Sequence, residues 1–287
     1  MARWLRFFSE RFPVPLLAVI TGGFALSSLA STGLVFRGST ALLGWLQAFL
    51  MFGVLRLMDE VKDYKKDLIA HPERPLPRGL LTLEEARRGI GFGLLLMSAL
   101  AALSLIVFTR ESGLLYAATT LFLYGMYREF GIGNWLEPRP LLYAISHQGI
   151  SVLLSASIAS LAFVSHEAVS PRAWLQASLL LLGAFFTYEV ARKLDPHAHP
   201  LLRTYRSVHG DLKTGFILMG TTLVSLLGSW ILFADQVWLW IFWGIELSVL
   251  FSYGLLIHKN HKITEALASV SLLLHLWGPA IFYFVRP

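Results

Sequence analysis

Four acidic side chains fall within nine residues of the stretch Leu57–Gly79, LMDEVKDYKKDLIAHPERPLPRG: Asp59, Glu60, Asp63 and Asp67. Four residues approximate one helical turn, so Asp59, Asp63 and Asp67 are expected on one helix face. Like charges so placed repel one another, and a counter-ion is expected among them. Hard carboxylate oxygens suit Mg²⁺, which typically takes one or two carboxylates and substrate phosphates. Arg74 and Arg78 follow, set among Pro72, Pro75 and Pro77, which stop the helix and return guanidinium groups to the acids. Such a set would grip a metal-bridged phosphate. The plainer alternative is a solvated, mixed-charge loop between helices.

The elements that must position these residues are membrane helices. Of 287 residues, 55% are hydrophobic and 15% charged, and the mean hydropathy is +0.61. Soluble domains carry about a quarter charged residues. Nine apolar stretches are expected to span: Val14–Val35, Ala41–Met58, Ile90–Phe108, Leu114–Tyr127, Leu141–Val164, Ala173–Val190, Gly215–Phe233, Val237–His258 and Ile263–Val285. Most reach the ~17–25 residues a spanning helix requires; Leu114–Tyr127 is short. The chain reads as one membrane domain over residues 1–287, with charged cytoplasmic loops at about 59–88 and 189–213.

Charge sidedness supports that count. With the N-terminus on the cytoplasmic side, only Arg37, Arg110, Arg172 and Arg286 of the 24 Lys and Arg fall outside. The first apolar run is too long for the h-region of a signal peptide, so cleavage is not expected. There is no cysteine, hence no disulfide frame or thiol chemistry. The +6 net charge is spread over membrane loops, without a nucleic-acid recognition motif. The outer loops Phe36–Thr40, Thr109–Gly113 and a turn near Asp235 are short. The second and sixth spans leave the membrane on the same side, so their long loops can meet. The later loop, YEVARKLDPHAHPLLRTYRSVHGDLK, offers Glu189, Arg192, Lys193, Asp195, Arg203, Arg206 and Asp211.

DEVKDYKKD followed by ERPLPRG resembles the first signature of the UbiA superfamily of intramembrane prenyltransferases, NDxxDxxxD with an NRPLPSG-like run. Asp63 and Asp67 match the second and third signature acids. Glu60 stands where the first aspartate is usual, and Asp59 where asparagine is. The second family signature is of the DxxxD type, and here the chain departs: EVARKLD has Glu189 first, Lys193 four residues on, and Asp195 beyond. TYRSVHG, Thr204–Gly210, is similar to the segment that follows this signature. The resemblance covers nearly the whole chain and marks it as a divergent bacterial-type member.

The resemblance implies an all-α fold of nine transmembrane helices around a central cavity, and a transferase moving a prenyl group from a polyprenyl diphosphate to a lipophilic acceptor. It implies Mg²⁺ held by Asp59, Glu60, Asp63, Asp67, Glu189 and Asp195. Arg74, Arg78, Arg128 and Lys193 would meet the diphosphate, with Tyr124 and Tyr127 beside it. Aromatic faces would shield the allylic cation by cation–π attraction. Polar residues within spans usually face a protein interior. Among them His147, with Gln148, is a candidate acceptor contact or proton acceptor, with a structural helix–helix hydrogen bond as the equal alternative, while Glu246 and His275 read as structural. A bacterial inner membrane is the expected location. The alternatives are a UbiA-type terpene cyclase, a phosphoribosyl transfer onto polyprenyl phosphate, and a metal-ion transporter. Transport sites usually lie nearer the bilayer midplane than this acidic cluster.

Overall fold

A computed structural model describes residues 2–163, 171–195, 198, 204–233 and 237–285; Arg203, Asp235 and Arg286 lie outside them. The described residues form helices: α1 (Ala2–Arg11), α2 (Val14–Ala30), α3 (Gly38–Ala70), α4 (Leu83–Leu103), α5 (Arg110–Tyr127), α6 (Gly133–Leu136), α7 (Pro140–Ser160), α8 (Pro171–Ala191), α9 (Tyr205–Phe233), α10 (Trp238–Leu256) and α11 (His261–Val285). Among the described residues, seven helices are long and apolar enough to cross a membrane, and α1 with α2, bent by 59°, make an eighth. The expected count of nine is thus not confirmed. The element left out is α5, whose 18 residues match the described span of α8 in length but include Arg110, Glu111, Tyr116, Tyr124 and Tyr127, so it is less apolar.

The length of α3 positions the acids. Its 33 residues extend about 50 Å, so roughly the last twelve project beyond a 30 Å core. Asp59 through Ala70 are helical, as the expected placement of the three aspartates on one helix face requires, and the connecting segment begins only after Ala70. No proline or glycine interrupts the run from Val54 to Ala70. Pro72 follows the terminal His71, whose N–H donates to the Asp67 carbonyl at 2.9 Å. The chain then turns through Gly79, with φ +78°, a backbone conformation that glycine adopts without Cβ strain. Thr82 and Glu85 open α4 with a reciprocal capping box, at 3.1 and 2.8 Å.

Close helix approach holds the bundle together where lipid provides no hydrophobic drive. A Cβ at Gly183 of α8 would fall 2.3 Å from the Ser225 backbone nitrogen of α9, and one at Gly228 would fall 2.5 Å from that of Leu180. Many polar side chains within the spans bond to neighbouring helices, although Glu246 Oε2, Thr222 Oγ1 and Trp243 Nε1 are buried without a hydrogen-bond partner among the described residues. Glu246 Oε1 accepts from Ser225 at 2.8 Å and Ser271 at 2.7 Å, and Ser225 Oγ also meets His275 Nε2 at 2.8 Å. Glu246 and His275 are fully buried. They join α9, α10 and α11, as their reading as structural groups requires. A separate buried set around Gln47 reaches Ser104 at 2.9 Å and Ser157 at 3.2 Å.

The N-terminal helix docks beside the acidic end of α3. Trp4, Phe7 and Phe8 form its apolar side, with Phe7 buried in the main core. Arg11 pairs with Glu60 at 2.6 Å, Arg3 with Glu85 at 2.6 Å, and Glu10 with Arg78 at 2.7 Å. An apolar cavity of about 260 Å³ lies between α1, α3 and α4, lined by Phe8, Phe12, Phe49, Val54, Leu57 and Phe92. Asp59 stands about 200° around α3 from Leu57, so this cavity and the acids occupy different sides of the helix.

Candidate active site

The projecting end of α3, the C-terminal turn of α5, the first two turns of α7 and the end of α8 define the candidate site. The acids do not remain one stripe. Four residues rotate by 400°, so each successive acid drifts about 40° and Asp67 sits about 80° round from Asp59. The consequences differ for each side chain. Asp63 is exposed and Asp59 half-buried, and neither takes a hydrogen bond or ion pair from another described residue. Asp67 is buried at 2% exposure and grips Arg74 Nη1 with both oxygens, at 2.7 and 2.8 Å. Glu60 is equally buried, turned to Arg11 and Arg56 at 2.6 and 3.1 Å.

The six carboxylates expected as metal ligands are therefore not gathered. Among the described residues, no three carboxylates or histidines converge as a cation site. Glu189, on the last turn of α8, is clasped at 2.5 Å by both Arg192 and Lys193. Asp195 lies beyond that turn. What fits Mg²⁺ is the pair Asp59 and Asp63, acceptor-only groups one turn apart with no protein donor on either. One or two carboxylates with phosphates completing the shell is the usual Mg²⁺ arrangement.

The expected diphosphate contacts divide in the same way. Arg74 is committed to Asp67, and Arg78 to Glu10 and the Glu73 carbonyl. Arg128 caps α5 with an exposed side chain that makes no ion pair. Lys193 lies within electrostatic reach of Asp63, and Arg192 within reach of Asp59. The ends of α3 and α8 thus share one face, as the two loops were expected to do. Tyr124 is half-exposed on the last turn of α5, while Tyr127 is partly buried against the core.

Beside the acids lies a polar cluster that the sequence did not single out as a unit. Lys62 donates to the Met126 carbonyl at 3.2 Å and the Tyr143 hydroxyl at 2.8 Å, and pairs with Glu129 Oε1 at 2.7 Å. Tyr143 donates to the same Glu129 oxygen at 2.9 Å. Its ring stacks on His147 at 4.0 Å. Glu129 and Phe130 both have φ +51°, followed by Gly131 at +74°. Left-handed backbone costs a non-glycine residue about 1–2 kcal/mol, and here two adjacent residues carry it. The signal in the sequence was Tyr-Arg-Glu-Phe-Gly at the end of a span, where Tyr127 and Arg128 drew notice and Glu129 did not.

The sequence profile of the UbiA prenyltransferase family matches residues 16–284. The chain belongs to the UbiA prenyltransferase family. Three solved structures share its fold. A UbiA homologue from Aeropyrum pernix K1, in apo form, has a TM-score of 0.66 at 16% identity, over 93% of this chain and 98% of its own. A structure described for digeranylgeranylglyceryl phosphate synthase in membranes has a TM-score of 0.57 at 18% identity, over 98% and 99%. A UbiA homologue from Archaeoglobus fulgidus, bound to Cd²⁺, has a TM-score of 0.57 at 14% identity, over 92% and 96%. No curated protein matches the chain in sequence. Membership in the UbiA family makes this chain an integral membrane protein and an intramembrane prenyltransferase.

Proposed function

We propose that this chain is a Mg²⁺-dependent transferase that moves a prenyl group from a polyprenyl diphosphate to a small lipophilic acceptor. The observation that carries the reading is the pair Asp59 and Asp63, carboxylates without a protein donor among the described residues, at the projecting end of α3. Bound between them and the substrate, Mg²⁺ would neutralise diphosphate oxygens as the allylic C–O bond breaks. Arg128 and Lys193 supply cations for oxygens outside that shell. Tyr124 and Tyr127 line the face where the allylic cation forms. Asp67 and Glu60 serve this site by holding Arg74, Arg11 and Arg56, and so fix the end of α3. The charge asymmetry of the loops supports a cytoplasmic N-terminus in a bacterial inner membrane.

The test is incubation of purified protein with geranyl, farnesyl and geranylgeranyl diphosphates, with and without Mg²⁺, followed by mass spectrometry of extracted lipids. Mg²⁺-dependent diphosphate release with a prenylated product is expected. A cyclised hydrocarbon formed without acceptor would replace the reading with a terpene cyclase. Turnover of phosphoribosyl diphosphate alone would make it a phosphoribosyl transferase. Metal uptake into liposomes without diphosphate turnover would make it a transporter.

Lys193 has its own test. Lys193→Asp removes a cation from the diphosphate face and sets two carboxylates one turn apart at the end of α8. The loss of a charge-assisted contact is expected to raise the KM for prenyl diphosphate by about tenfold or more. Unchanged KM at low Mg²⁺ would remove Lys193 from the phosphate site and make the α8 turn a spare metal position.

A further inference from the structure

The cluster around Glu129 contains two acceptor atoms that no described residue satisfies. His147 Nδ1 lies 2.8 Å from the Tyr143 carbonyl. A carbonyl only accepts, so Nδ1 carries the proton and Nε2 presents a bare lone pair in the neutral ring. Ser146, 3.0 Å from Nδ1, gives its own proton to the same carbonyl. Glu129 Oε1 is saturated by Lys62 and Tyr143, whereas Oε2 is not. Glu129 Oε2 and His147 Nε2 are buried, have no hydrogen-bond partner among the described residues, and face each other across 3.7 Å. Two acceptors so placed repel unless a donor lies beside both. A role in joining α3, α5 and α7 explains Lys62, Tyr143 and Oε1. It leaves the two facing atoms unexplained.

The surroundings hold this arrangement in place. The left-handed backbone at Glu129 and Phe130 aims the carboxylate back toward α7. The His147 ring is fixed by its stack on Tyr143 and by Phe130, edge-on at 5.7 Å. Lys193 lies within electrostatic reach of His147, and Asp59 and Asp63 within reach of Tyr143. The cluster therefore borders the face assigned to the diphosphate, and the inference that follows rests on that assignment.

We propose that His147 and Glu129 receive the hydroxyl group of the acceptor and that His147 takes its proton. The acceptor is thereby an alcohol or phenol, and with its proton drawn to Nε2 the oxygen is the nucleophile. In the step, the hydroxyl oxygen bonds to C1 of the prenyl group while the C1–O bond to diphosphate breaks, its electron pair leaving with the diphosphate. The hydroxyl proton passes to Nε2. The resulting imidazolium lies against Glu129 Oε2, and Nδ1–H remains on the Tyr143 carbonyl. Lys62 and Tyr143 act as positioning residues, holding Glu129 through its other oxygen.

Glu129→Gln is the discriminating change, because its amide can donate to Nε2 and occupy the lone pair without altering shape. His147→Phe is the companion, keeping the stack without any lone pair. Two quantities are measured with farnesyl and geranylgeranyl diphosphates. One is capture of the prenyl group by hydroxyl probes, namely water, 1-octanol and phenol. The other is bridge-to-nonbridge ¹⁸O exchange in the diphosphate, which reports ionisation without an acceptor. Both variants are expected to lower hydroxyl capture about 10²-fold, the usual scale for a lost general base, while exchange continues. Capture and exchange falling together, or neither falling, would overturn the assignment. Exchange in the unaltered protein without capture by any hydroxyl probe would overturn the acceptor class. Neither exchange nor capture in the unaltered protein would instead sink the prenyl diphosphate reading.

Discussion

Asp63→Asn is expected to reduce Mg²⁺-dependent turnover of a prenyl diphosphate by about 10²–10³-fold, the scale for removing one electrostatic stabiliser from a charge-developing site. The protein should remain folded. Asp63 is exposed and takes no partner, so its removal leaves no buried donor unsatisfied. Lifting one charge from a run of acids also relieves repulsion on the helix, which is worth tenths of a kcal/mol. The check is diphosphate release at saturating Mg²⁺ alongside thermal unfolding in detergent. Asp59→Asn should behave alike, since both carboxylates face the proposed metal site, although Asp59 is the less exposed. Full activity in Asp63→Asn would remove the metal-bridged reading of the site.

Arg74→Ala is expected to act through the fold. Asp67 is buried and both its oxygens rest on the Arg74 guanidinium. Removing one partner of a buried pair leaves a charge without compensation, at about 3–5 kcal/mol. Arg74 is itself a quarter exposed, and water entering beside Asp67 places the expected loss near the lower end, about 3 kcal/mol. Asp67→Asn should cost less, because an amide needs no counter-charge. Equilibrium unfolding in mixed micelles with increasing denaturing detergent measures both. If Arg74→Ala left stability unchanged while raising the KM for diphosphate tenfold, Arg74 would belong to the substrate after all.

The contrast between Asp63 and Asp67 shows what a sequence reading could and could not contain. Helical spacing placed the acids on α3, and the run of apolar residues before Met58 placed them at a membrane-proximal end. Both statements follow from distances along one helix. Which acid is free depends on what arrives from elsewhere, and that is set by tertiary docking. Arg74 returns after the proline-rich turn to claim Asp67, and Arg11 comes from a different helix to claim Glu60. Lys193 could be named as a cation in place of an acid, but its clasp on Glu189 depends on the shape of the α8 end. Glu129 was hidden most fully. Its role depends on a left-handed turn at Glu129–Phe130, which ordinary residues enter only under tertiary constraint, and on a histidine 18 positions away.

The three ion pairs that fasten α1 impose an order on synthesis. Arg3 waits for Glu85, 82 residues later, and Arg11 for Glu60, 49 residues later. At about 5–20 residues per second, the ribosome takes roughly 4–16 s to deliver Glu85 after Arg3. During that interval α1, with Trp4, Phe7 and Phe8 on one side and Arg3, Arg6 and Arg11 beside them, has the composition of a helix that rests on the lipid headgroups. It meets its permanent partners only once α3 and the start of α4 have emerged. The residues of α1 are thus made before their partners and late to be seated, and their arrival latches the end of α3 that bears the acids.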